Sequence, residues 1–357
     1  MIKMDIKINA IDLFCGAGGL AHGLQKSGID VKLGIDIEPA CKYPFEANNK
    51  AKFLLKSVVD LKKEEIEQYY EQDFIYKLLA GCAPCQTFST YNTKACSNDN
   101  RWWLLLEFSR LVRETIPDLV TMENVPGLEK QEVFHQFVSD LKANGYHVYH
   151  KVVNAADYGL PQNRKRLVLL ASRLGNISLL STKELKVKKQ TVKTAILKLP
   201  PLQAGEINEK DPLHQCALLS DLNIKRIKNS VAGGTWEDWP KELRADCHTK
   251  DTGKTFKGVY GRMEWDKPAP TMTTQFTGFG NGRFGHPEQN RAISLREGAI
   301  FQGFPKNYKF VPKHTPIPKG KIARMIGNAV PVKLGEIIGK SIVEHVKKYQ
   351  SNINDVA

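Results

Sequence analysis

The 357-residue chain contains no stretch that approaches the roughly 18–20 consecutive apolar residues needed to cross a bilayer. A membrane-spanning protein is therefore not expected. The opening residues, MIKMDIKINAIDLF, are charged and run directly into a strand-like segment, which does not read as a secretory signal. These two absences point to a cytoplasmic protein. Cysteine is sparse and odd in number, seven in all, at 15, 41, 82, 85, 96, 216 and 247. Without a regular framework this implies reduced thiols, not a disulfide scaffold. Only Cys82 and Cys85 form a C-x-x-C pair, and no second pair or closely spaced histidines follow to complete a zinc site. A thioredoxin-like pair stays open on spacing alone. Acid is also short: 38 Asp and Glu against 52 Lys and Arg leave a net charge of +14. Such an excess suits a polyanionic partner such as nucleic acid, or a merely solvated basic surface.

What is present is an alternation. Short apolar runs predict strands over 6–12, 31–36, 57–60, 74–80, 118–123 and 165–171. Helical spacing fills the gaps over 19–27, 39–48, 102–115 and 132–144. The segment 102–115 shows it best, with Leu104, Leu105, Phe108, Leu111 and Val112 on one side. Strand–helix alternation of this kind predicts an α/β fold with a doubly wound, mostly parallel sheet. Past residue 175 the texture changes to a lysine-rich run over 183–198 and then to irregular Gly- and Pro-rich sequence. We therefore expect a first domain over 1–175, a smaller second one over 176–285, and a closing segment over 286–357. Pro331 precedes the last helical pattern, a position proline tolerates.

Four clusters stand at the ends of predicted strands. Asp12-Leu13-Phe14-Cys15-Gly16-Ala17-Gly18-Gly19 opens the first helix, and Asp36 ends the next strand about 24 residues on. In a doubly wound fold that arrangement serves a nucleotide-like ligand, with the acid on ribose hydroxyls, although a plain tight turn would read the same way. Gly81-Cys82-Ala83-Pro84-Cys85-Gln86 follows the fourth strand, and Glu123-Asn124-Val125-Pro126-Gly127 the fifth. Gln162-Asn163-Arg164-Lys165-Arg166 enters the sixth, its two arginines at alternating spacing and so on one face.

Together these clusters resemble the DNA cytosine-C5 methyltransferase family, in order and across nearly the whole chain. Arg291-Ala292-Ile293-Ser294-Leu295-Arg296-Glu297 resembles the motif that seats its recognition domain, and Gly327-Asn328-Ala329-Val330-Pro331 its final motif. The resemblance implies a Rossmann-like S-adenosylmethionine-dependent methyltransferase fold with a smaller target-recognition domain. It implies methylation of C5 on a cytosine flipped out of double-stranded DNA, with S-adenosyl-L-methionine as methyl donor and no metal. Cys85 would be the nucleophile that adds at C6, next to Gln86. Glu123 would deliver a proton to N3, and Arg166 would steady the base near O2, with Arg164 beside it. Cys82 would be packing. Phe14, Gly16 and Gly18 would lie beneath the cofactor, Asp36 on its ribose, Asp60 near the adenine, and Asn328 and Val330 would close the pocket.

For DNA the expected contacts are Ser89 and the polar segment 89–101, which resembles a loop closing over the flipped base. Lys186, Lys188 and Lys189 suit phosphate, because lysine is a flexible point charge. Arg262 and Arg283 are candidates for guanine edges or phosphates, and Thr271 lies in a short Thr-hydrophobic signature. A monomer is expected, accompanied by a cognate restriction endonuclease if it belongs to a restriction-modification system. Two alternatives stay open: a tRNA cytosine-C5 methyltransferase and a non-catalytic DNA-binding relative. The span of about 110 residues before Arg291 favours DNA over tRNA.

Overall fold

Six consecutive buried residues, Ile8–Leu13, form strand β1, the pattern of a parallel strand covered on both faces. The computed structural model describes residues 6–70, 76–84, 103–250, 253 and 255–356. Along the chain β1 is followed by α1 (Gly19–Lys26), β2 (Asp30–Asp36), α2 (Lys42–Asn48), β3 (Lys52–Leu55), α3 (Lys63–Glu67) and β4 (Tyr76–Gly81). Next come α4 (Trp103–Thr115), β5 (Leu119–Asn124), α5 (Glu132–Ala143), β6 (His147–Asn154) and β7 (Lys165–Ser172). The strands make one sheet in the order β3-β2-β1-β4-β5-β7-β6. Pairings from β3 to β5 are parallel, and β7 runs against both β5 and β6. The expected doubly wound, mostly parallel sheet is therefore present, with its crevice between β1 and β4, where the direction of winding reverses.

Two expectations about the sheet need correction. Residues 57–60 do not form a strand. Ser57 Oγ accepts the Val59 amide and folds 58–60 into a 3-10 turn, while the strand that pairs with β2 is Lys52–Leu55. Strand β6 was not predicted. It is a sheet edge whose residues are mostly half-buried or exposed, so its His, Lys and Tyr positions hide the apolar alternation.

One sheet face buries Ile11, Leu13, Leu33, Ile35, Leu79, Val120 and Met122 in a single cluster with Ile66 of α3, Phe108 of α4 and Phe137 of α5. Phe108 and Phe137 lie 5.4 Å apart, tilted, and burying each contributes about 1.5–3 kcal/mol. Elsewhere α1 packs on the C-terminal helix α11 (Val332–Val356) backbone to backbone. A Cβ added at Gly23 would lie 2.4 Å from the Val332 carbonyl oxygen, and one at Gly335 2.9 Å from that of Leu20. Only glycine permits so close a crossing.

The chain divides into two compact units. One holds 1–158, 165–187 and 329–357, and the other 159–164 and 188–328. The second carries short helices: α6 (Val192–Ile196), α7 (Asp221–Lys228), α8 (Asp246–Thr249), α9 (Leu295–Phe301) and α10 (Lys319–Asn328). Its irregular backbone is held by buried arginines. Arg262 is buried, and its guanidinium donates to the carbonyls of Ile227, Ser230, His286 and Gln289. The expectation that Arg262 meets DNA is corrected on that ground: its donors are taken up by backbone carbonyls of its own unit.

Arg291 and Glu297 form a second tie, bidentate at 2.8 Å on each arm and 1% exposed on each side. Ser294 and Glu297 also complete a capping box at the start of α9. Burial alone would raise the Glu297 carboxyl, but the bonds and charge of Arg291, with His286 nearby, bring it down to about 2. A depressed acid stabilises the fold above its unfolded value, near 4.5, and that stability is lost as pH falls from there toward 2. Glu297→Gln, which leaves Arg291 buried without a counter-charge, is expected to cost about 3–5 kcal/mol. Urea unfolding at pH 7 and pH 4 reads both effects. A midpoint unchanged by the substitution would remove the pair from this role.

Candidate active site

The ends of β1, β2, β4 and β5 and the start of β7 bring the predicted clusters to one rim of the sheet. After β1 the chain turns through left-handed conformations at Phe14 (φ 57°), Gly16 (φ 51°) and Gly18 (φ 86°) before entering α1. The glycines take this geometry without cost, and Phe14 is held in it. The turn is fixed from β2: the Gly16 amide donates to Asp36 Oδ2 at 2.9 Å, and the Glu38 amide to Oδ1 at 2.9 Å. Burial raises the Asp36 carboxyl, an effect offset in part by the amides of Glu38, Gly16 and Ile37. Gly19 packs against Val330, whose carbonyl oxygen would lie 2.2 Å from a Cβ there. Asn328 is exposed at the end of α10, in the other compact unit.

Asp60 is exposed at the end of its 3-10 turn. Around it the same rim leaves three aliphatic side chains in solvent: Ile37 at 71%, Leu55 at 53% and Val59 at 37%. Exposed aliphatics grouped at a ligand rim signal a flat apolar partner. None of the three stands out in the sequence, although Ile37 directly follows the strand-ending acid.

The second half of the site centres on Glu123, buried at the end of β5 and 3% exposed. Arg166, the second residue of β7, places Nε 2.9 Å from Glu123 Oε1. Cys82 Sγ donates to Glu123 Oε2 at 3.1 Å. Cys82 is thus more than the packing residue expected, because its thiol touches the acid. Asn124, unassigned from sequence, strings the site together. Its Nδ2 donates to the Ala83 carbonyl at 2.9 Å, and its Oδ1 accepts the Val125 amide at 2.8 Å. The residues after Pro84 that carried the remaining expectations, Cys85, Gln86, Ser89 and the segment 89–101, lie outside the described residues.

Other expected residues are dispersed. Arg164 is buried in the second unit, where Nη1 and Nη2 donate to the carbonyls of Met272 and Gly327, each at 2.9 Å. Through these bonds it ties two backbone segments of its own unit. Gln162 is likewise buried and donates to the Phe301 carbonyl while accepting the Met272 amide. Thr271 Oγ1 donates to the Asn163 carbonyl, and Arg283 Nη1 to that of Gly234. Lys186, Lys188 and Lys189 are exposed. Among the described residues no group of acids, histidines and cysteines could hold a metal, and no helix is long and apolar enough to cross a membrane.

The family described as C-5 cytosine-specific DNA methylase matches residues 8–344. The Type II methylase M.HgiDII of Herpetosiphon aurantiacus is 50% identical over 335 residues, covering 93% of this chain and 94% of its own. The Type II methyltransferase M1.BsuMI of Bacillus subtilis is 32% identical over 350 residues, 93% of this chain and 79% of its own. Among solved structures, the methyltransferase EhMeth of Entamoeba histolytica superposes with a TM-score of 0.67 at 18% identity, covering 96% of this chain and 99% of that one. That likeness concerns the fold.

Proposed function

Because the chain belongs to the C-5 cytosine-specific DNA methylase family, and is thereby an enzyme that methylates C5 of cytosine in DNA, we propose that Glu123 is the acid that meets N3 of the target base. The observation that supports this is the carboxylate buried at the sheet rim with Arg166 on one oxygen and Cys82 on the other. Buried acids of that kind are kept where they touch substrate or bind the fold together. Glu123 stands where a strand end meets the ligand crevice.

Family and fold imply use of S-adenosylmethionine, and the residues of the first unit fit it. Asp36 offers a carboxylate to a hydroxyl pair, Ile37 and Val59 offer aliphatic faces to a purine, and the Phe14–Gly18 turn leaves open space at Gly16. The cofactor supplies an electrophilic methyl group when bound. Asp60 and Val330 are proposed to border the same ligand.

On the protein's side, the Cys85 thiolate forms a bond to C6, and the ring's C5–C6 electron pair is accommodated as Glu123 protonates N3. C5 is then an enamine carbon and can be alkylated. A base then takes the C5 proton, the C5–C6 double bond re-forms as the C6–S bond breaks and the thiolate leaves, and N3 returns its proton to Glu123. Arg166, paired to Glu123, holds that carboxylate in place and lies next to where the base must sit.

The partner is double-stranded DNA, from which the base must be flipped to reach a rim-side acid. Lys186, Lys188 and Lys189, exposed and close in sequence, are proposed to meet phosphate, and Thr271 and Arg283 to lie on the DNA side of the second unit. A monomer in the cytoplasm is proposed, and the Type II names of the relatives support pairing with a restriction endonuclease of the same site. Those relatives favour DNA over the tRNA alternative. The test is a duplex carrying 5-fluorocytosine, in which fluorine blocks the final elimination. Wild-type enzyme with S-adenosylmethionine should form a denaturant-resistant adduct on this duplex and not on the corresponding 5-fluorocytosine tRNA. Absence of the adduct on active enzyme would overturn the covalent route.

A further inference from the structure

The geometry points to Cys82 as a positioning residue for Glu123, a role that rests on Glu123 being the acid described above. Its thiol hydrogen bond fixes the plane of the carboxylate that the base must meet. The position of Sγ is set by the backbone on both sides. The Cys82 amide donates to the Leu13 carbonyl of β1 at 3.3 Å, and the next carbonyl, that of Ala83, accepts from Asn124 of β5 at 2.9 Å. Strapped to two strands of the sheet, the segment 82–84 has little freedom, and it carries Sγ to 3.1 Å from Glu123 Oε2.

In this contact the thiol is the donor and Oε2 the acceptor. Arg166 alone, with Nε 2.9 Å from Oε1, would fix one oxygen and let the other swing about it. A donor on Oε2 from a different strand removes that freedom, because turning the carboxyl group breaks one of the two contacts. The site is buried, and a hydrogen bond counts for more there than in water. Holding a catalytic group in its reactive orientation is a recognised source of rate. The side chain at 82 must be short, because its backbone is pinned against β1, and it must carry a hydrogen. Cysteine satisfies both conditions, and so would serine. Alanine satisfies only the first.

The experiment compares Cys82→Ala, Cys82→Ser, Glu123→Gln and the Cys82→Ala/Glu123→Gln pair by single-turnover methyl transfer at saturating DNA, with calorimetry of S-adenosylmethionine binding as the check on folding. Cys82→Ala should lower the rate constant about tenfold, the upper end of what one net hydrogen bond contributes, with the affinities for DNA and cofactor unchanged. Cys82→Ser should recover most of the loss, and Cys82→Ala should have almost no further effect once Glu123 is glutamine. A wild-type rate in Cys82→Ala, a serine variant as slow as alanine, or an equal loss in both backgrounds would each overturn the inference while leaving the role of Glu123 standing. A near-normal Glu123→Gln would instead overturn that role, and the inference with it.

Discussion

Cys85→Ala is expected to abolish methyl transfer and to leave S-adenosylmethionine binding intact. A methyl side chain has no lone pair to add at C6, and C5 of an unactivated cytosine is too weak a nucleophile to be alkylated at a useful rate. The residues proposed for the cofactor come from elsewhere: Gly16 and Gly18 follow β1, and Asp36 ends β2. Removing a thiol that follows β4 does not disturb the Gly16–Asp36 hydrogen bond that shapes the turn. Tritiated methyl incorporation measures the first outcome and calorimetry the second. Appreciable turnover would mean another nucleophile, and suspicion would pass to Cys82. That thiol is engaged in a hydrogen bond to Glu123 Oε2. Loss of cofactor binding together with activity would indicate that the substitution had unsettled the fold.

Glu123→Gln is expected to slow methyl transfer by about two to four orders of magnitude, the range of positioned acid–base catalysis. An amide is nearly the size of a carboxyl group and can turn its NH2 toward N3. It cannot release a proton as the ring gains electron density. The substitution also removes the counter-charge 2.9 Å from Arg166, so thermal melting should accompany the kinetics to separate lost chemistry from lost stability. Single-turnover rates with saturating DNA give the comparison directly. A near-normal rate would make Glu123 a structural anchor for Arg166 and nothing more.

Much of this site was legible in the sequence because its residues sit at punctuation. Asp36, Glu123 and the Gly16–Gly18 turn each end an apolar run, and a parallel sheet turns such positions into one rim. Arg166 was legible for the related reason that it begins a strand. Arg262 was misjudged because a guanidinium suits nucleic acid and backbone carbonyls equally well, and only the fold shows which is near. Cys82 was taken for packing because its partner lies 41 positions away, beyond the reach of any local pattern. Strand β6 escaped because an edge strand needs no apolar face on its outer side. Residues 57–60 misled in the opposite sense: two valines suggested a strand, while Ser57 was already folding the backbone into a turn.

The glycine crossing between α1 and α11 has a consequence in time. The first helix is complete by Lys26, and the helix it packs against begins at Val332. A ribosome adding roughly 5–20 residues per second reaches the second helix on the order of 15–60 seconds after finishing the first. Throughout that interval the bare backbone at Gly19 and Gly23 lacks the backbone of Val330 and α11 that it packs against, and α1 has only the sheet side, with β2, to rest on. Contacts between such distant parts of a chain also form slowly, because the intervening segment must be ordered first. The capacity to hold a cofactor therefore arrives late in the life of the nascent chain, when the last helix docks.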